Sequence, residues 1–178
     1  MHVAIHIACA VTIASAAASA AIMDRVAVSV GNEAIREAQI DQEVRVTELL
    51  NGTPVDLSIA EKRKAASRLI DQAIIRAEMA RTGYRDASAT DVAAVLAKLK
   101  KARFGSESAY RSALLQYGVS DAEFQAHVAW QLTVVRFVDA RFQQRKPLPE
   151  QRVNSAFFSW LDQSRKRARI AYRDEALQ

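Results

Sequence analysis

Two carboxylates stand close enough in sequence to share acid–base work. They are Asp121 and Glu123 in "YGVSDAEFQAHVAW", with His127 four residues beyond the second. Such a pair can exchange protons with a substrate when its surroundings hold the two groups at different pKa values. The same stretch has a structural use for both. Ser120 followed by Glu123 is a capping box, and acids in a helix's first turn complement its dipole. Two of the three histidines, His2 and His6, and the single cysteine, Cys9, lie in an opening segment that reads as a leader. The rest of the chain keeps His127 alone and can build no Cys/His metal cluster, Cys nucleophile or Cys–His pair. No G-x-x-x-x-G-K-[ST] or G-x-G-x-x-G sequence occurs, so nothing suggests nucleotide binding. The residue types therefore argue for no enzyme, no metal and no cofactor.

A second group could bind rather than react. Arg165, Lys166, Arg167 and Arg169 cluster in "FFSWLDQSRKRARIAYR" beside Phe157, Phe158 and Trp160. A nucleic-acid surface needs a basic face carried across the domain, with aromatics interleaved for stacking. Here the aromatics fall at core spacing, and the cations sit where a helix leads into an edge strand. Cations complement a helix C-terminus, and charge on an edge strand resists unwanted pairing. The cluster reads as structural, with no nucleic-acid partner.

The elements that must position these residues are mostly helices. The chain has 178 residues, half of them apolar, with 25 cations against 20 anions and a net charge of +5. Gly and Pro are scarce, which favours helix. Residues 1–23 carry no Lys, Arg, Asp or Glu. They read as a secretory signal, residues 1–20, with Ala18-Ser19-Ala20 as the cleavage site and an uncleaved anchor as the alternative. After cleavage no stable membrane insertion is expected.

Beyond it, Val26, Val28 and Val30 alternate on one strand face, Gly31-Asn32 makes a turn, and residues 33–36 return as a second strand. Ile40, Val44 and Leu49 mark a helix stopped by Gly52. Ser58 with Glu61 reads as a capping box opening a helix over about 59–82, ended by Gly83. Ser88 and Ser106 open two more. Ser120 opens the expected longest helix, about 121–144, with the stripe Phe124, Val128, Leu132, Val135, Val138 and Phe142. Trp130, Val134 and Phe137 add a second stripe, so this helix should pack on two sides. The prolines Pro147 and Pro149 interrupt the pattern before a last helix, with Phe157, Leu161, Ser164 and Ala168 on one face. A final alternating stretch, Ala168, Ile170 and Tyr172, needs a partner edge, since a lone strand is unstable. The hairpin at the other end is the available one. The fold expected is mainly α, with a small sheet joining both ends of the chain.

This order of motifs resembles the SurA-type periplasmic chaperones. "DRVAVSVGNEAIREAQID" is similar to the family's opening strand, turn and helix, and "RLIDQAIIRAEMARTGY" to its second helix. "YGVSDAEFQAHVAWQLTVVRFVDARF" is similar to its long helix, and "FFSWLDQSRKRARIAYR" to the helix and strand that return at its end. The resemblance covers residues 24–178 and implies a division into core helices at 24–145, a linker at 146–152 and a returning segment at 153–178. Relatives commonly carry a parvulin prolyl isomerase domain where this chain has only "QRKPLPEQRV", so isomerase activity is not carried over. The implied function is ATP-independent holding of unfolded or extended polypeptides in the periplasm, outer-membrane proteins among them. The alternative is a dedicated partner-binding protein of an envelope or exopolysaccharide export assembly. The client-binding candidates are Tyr84, Phe104, Tyr110, Tyr117, Phe158 and Trp160, each of which also suits core or rim packing.

Overall fold

A computed structural model describes residues 24–143 and 149–178. The expected leader at 1–20 and most of the residues around Pro147 lie outside that range. The chain runs β1 (Val26–Val30), β2 (Glu33–Arg36), α1 (Glu37–Asn51), α2 (Ile59–Thr82), α3 (Ala89–Phe104), α4 (Glu107–Tyr117), α5 (Asp121–Phe142), α6 (Glu150–Arg167) and β3 (Ile170–Tyr172), ending in a 3-10 turn at Glu175–Leu177. It is mainly helical with one small antiparallel sheet.

The sheet order is β2-β1-β3, so both ends of the described chain meet on the central strand. Val28 stands opposite Ile35 on one side and Tyr172 on the other. The simple alternation expected of β1 fails at its start. The register shifts between Val26 and Val28, which turns both Ala27 and Val28 inward and leaves Val26 exposed. A bulge of this kind puts two residues against one and re-aims the side chains beside it.

The elements pack around two hydrophobic cores. The first gathers Val28, Ile35, Ile40, Ile70, Phe137 and Leu161 from the sheet, α1, α2, α5 and α6. The second gathers Val46, Leu49, Leu96, Tyr110, Phe124 and Val128 from α1, α3, α4 and α5. Helices α1 and α5 therefore run through both. For α5 this means that its inward face must turn along its length. The buried positions are Phe124, Val128, Thr133 and Phe137, with a slip of one residue at Thr133. There the Thr133 hydroxyl accepts the Ala87 N–H at 3.0 Å, fixing the α2–α3 loop. The slip leaves Val135, expected in the core stripe, 59% exposed. At 22 residues α5 is also shorter than α2, which has 24.

Three helices start on a serine whose hydroxyl accepts a backbone N–H, Ser88, Ser106 and Ser120. Ser120 accepts the Glu123 N–H while the Glu123 carboxylate accepts the Ser120 N–H at 2.6 Å. Ser58 makes no such cap. Its N–H and hydroxyl both go to the Asp56 carboxylate, at 2.8 and 3.1 Å, and Glu61 pairs instead with Lys64. The last helix starts inside the expected 146–152 linker, because the Pro149 carbonyl accepts from the Arg152 and Val153 N–H groups. Gly118 ends α4 at φ 63°, and a Cβ there would stand 3.1 Å from the Arg45 guanidinium, which donates to the Tyr117 carbonyl.

Candidate functional site

Helix α6 is the element around which exposed binding chemistry collects. Leu161 anchors it in the first core, and Arg165 locks it to α2. The Arg165 guanidinium donates to Asp71 at 2.5 Å and to the Ser67 carbonyl and hydroxyl at 2.6 and 2.7 Å. Trp160 and Phe157 stack together with ring centres 6.0 Å apart, and both pack against Phe142 of α5. Arg141, paired with Glu78 at 2.7 Å, lies over the Trp160 ring at 5.2 Å. Of the basic cluster, Arg165 is thus a cross-helix anchor and Lys166 pairs with Asp162 on its own helix. Arg167 and Arg169 stay at the surface.

Two open grooves flank this helix. One, of about 520 Å³, runs between the C-terminal half of α5 and the N-terminal half of α6. Val134, Val135 and Val138 face Val153, Phe157 and Phe158 across it, with Asp139 and Asn154 at its edge. Val153 is buried at its base, while Phe158 is 62% exposed. The other groove, of about 720 Å³, lies between α2, the β1–β2 turn and the end of α6, with Trp160 in its wall.

The six aromatics expected to bind clients are not brought together. Phe158 and Trp160 flank the two grooves. Tyr84 packs edge-on against Phe137, ring centres 5.4 Å apart. Phe104 and Tyr117 pack into the second core, remote from α6. Tyr110 must be corrected outright. It is only 1% exposed, with Phe104 and Phe124 against its ring and its hydroxyl donating to Asp121 at 2.5 Å. Burial this complete removes it from a client surface. Sequence reasoning missed the valines of the α5–α6 groove. Their one signal was an apolar arc on α5 wider than a single core needs.

The residues with potential acid–base chemistry are committed to structure. Glu123 serves its cap. Asp121 accepts from Tyr110 and Gln125 and lies 3.4 Å from the Lys100 ammonium. The Tyr110 hydrogen bond holds the Asp121 carboxyl below its ordinary range, against a smaller effect of burial. Conversely, burial and then Asp121 push the Tyr110 phenol well above its ordinary value. His127 contacts Glu43 at 3.6 Å, and Arg68 donates to the same carboxylate at 2.8 Å, a polar tie between α1, α2 and α5. Burial pushes the Glu43 carboxyl up, but hydrogen bonds and charge from His127 and Arg68 outweigh it and leave the group below its ordinary value. Among the described residues no group of His, Cys, Asp and Glu side chains is placed to hold a metal ion, and no helix is long and apolar enough to cross a membrane.

No family model matches the chain, and no curated protein matches it.

Proposed function

We propose that the chain is an ATP-independent periplasmic chaperone of the SurA type, which holds unfolded or extended polypeptides in the groove between α5 and α6. The observation that carries this reading is Val135 and Phe158, 59% and 62% exposed on the two helices lining one apolar groove. Folded monomers scatter single apolar side chains over their surfaces but seldom gather them into one open channel. The walls are aliphatic and aromatic, so they make few directional demands and suit clients of many sequences. The absence of a nucleotide-cradling sequence fits holding without ATP, and the lack of room for an isomerase insert fits holding without prolyl isomerase catalysis. The leader expected at residues 1–20 supports the periplasm as the site of action, with outer-membrane proteins as clients.

One observation favours a second reading, a dedicated partner in an envelope or exopolysaccharide export assembly. The most exposed large apolar side chains on α5 and α6 are confined to this one groove rather than spread over a broad face.

Light scattering of a chemically unfolded client diluted into the protein without ATP separates the two. Suppression of aggregation at low and high salt is expected, and the doubly substituted V135D/F158D protein should lose most of it. Both side chains are exposed, so the variant keeps its cores. Equal suppression by the variant would remove the groove from the holding surface. No suppression of any client by the unaltered protein would leave the dedicated partner as the reading.

A further inference from the structure

The second groove has a different chemistry. Its floor is shallow and apolar, built from Ala73, Ile74 and Ala77 of α2 with Val30, Ala168 and Trp160. Alanines here let a backbone approach α2 closely. Its rim is cationic, with Arg76, Arg81, Arg167 and Arg169 against Glu33 and Glu78. Both carboxylates are already engaged. Glu33 pairs with Arg76 at 3.4 Å, and Glu78 is held by Arg81 and Arg141, each at 2.7 Å. Among the described residues, Arg167 reaches only the Ser164 hydroxyl of its own helix, at 3.4 Å. The Arg169 guanidinium has no acceptor among the described residues. Two exposed cations thus stand without a counter-charge at one end of an apolar floor.

We infer that this groove binds an extended acidic peptide, with small apolar side chains on the alanine floor and carboxylates paired to Arg167 and Arg169. Charge complementarity selects the occupant: the uncompensated positive charge lies at one end, where a few carboxylates can reach it. A nucleic acid suits the groove less well. Its charge is evenly spaced, about one per 1.7 Å of duplex, and would run past Glu33 and Glu78 as well as the arginines. The apolar floor would also gain nothing from phosphate. Arginine is the cation best matched to a carboxylate, because its planar donors can meet both oxygens. Binding here is independent of holding by the α5–α6 groove, since these walls come from α2, the hairpin and the end of α6.

The test uses fluorescence anisotropy with the full chain and two labelled peptides. One is an Ala/Val-rich octapeptide with two glutamates, and the other has glutamines in their place. The acidic peptide should bind about tenfold more tightly at low salt, the range expected of two partly exposed ion pairs. The advantage should shrink at high salt. R167Q/R169Q should bring the acidic peptide down to the level of the other without shifting the melting temperature, as neither side chain ties two elements together. A77W, which fills the floor at an exposed position, should weaken both peptides. Equal affinity for the two peptides, or an R167Q/R169Q protein that binds like the original, would overturn the inference. So would a nucleic-acid duplex that displaces the peptide at lower concentration. A concentration-dependent dimer abolished by R167Q/R169Q would also overturn it, by making a second copy the occupant.

Discussion

Replacing Arg165 with methionine should undock α6 from α2 and so disturb both grooves that α6 helps to wall. The guanidinium makes three short hydrogen bonds, one to the Asp71 carboxylate and two to Ser67. Methionine keeps most of the packing of the stem but none of these bonds, and it leaves Asp71 without its partner. The pair is 31% and 28% exposed, between the fully buried and the surface regimes. A hydrogen bond to a charged group contributes about 1.5–3 kcal/mol when protected, whereas an exposed ion pair contributes about 0–1 kcal/mol. Discounting for solvent, the three together should cost about 2–3 kcal/mol. For a chain of this size that is a fall of about 4–12 °C in melting temperature. Urea unfolding followed by circular dichroism would measure it, alongside D71N and the double variant. A coupling energy of about 1 kcal/mol or more is expected from the cycle. A loss below about 0.5 kcal/mol, or zero coupling, would refute the reasoning and leave Leu161 and its aromatic neighbours as the whole attachment of α6.

Three further outcomes are expected. Glu43 has a folded pKa below its ordinary 4.5, so the stability it contributes is complete above that value and is lost as pH falls through the lower folded one. Urea midpoints of the original protein should drop in acid, and E43Q should show a smaller drop from a lower neutral starting point. Tyr110 shifts the other way, so its contribution is present below its ordinary 10.0 and is lost as pH rises beyond it. Y110F should cost about 1 kcal/mol near neutrality, through the lost bond to Asp121, and should flatten the alkaline fall in stability. S120A should cost about 1 kcal/mol in chemical denaturation, and S58A less than about 0.5 kcal/mol. Equal costs would contradict the difference in their hydrogen bonds.

Much of the architecture was legible because it depends on neighbours in sequence. Gly52 and Gly83 each end a helix in the left-handed conformation that a glycine adopts most cheaply, and both stops were readable as such. The closure of β3 onto β1 came from one requirement, that a terminal strand find an edge. The capping reading failed at Ser58, where an acid two residues earlier competes for the same hydroxyl and amide. Nothing in the spacing S-x-x-E records that competition.

The sequence by itself determined where most helices start and stop, that the two ends share a sheet, and which chemistries lack their residues. These depend on backbone conformation, hydrophobic period and residue inventory, all of which are local or compositional. Tertiary structure alone decided which apolar residues remain in water. Val128 and Val135 lie on one stripe of α5, but only Val128 is buried, because the helix passes from one core to the other and its inward face turns at Thr133. The four neighbouring cations of α6 and β3 were likewise divided by geometry. Arg165 meets Asp71, Lys166 meets Asp162, and Arg167 and Arg169 are left at the rim of a groove. Burial and pairing are properties of what packs opposite a side chain, and Asp71 and Ser67, which hold Arg165, lie 94 and 98 positions away in the chain.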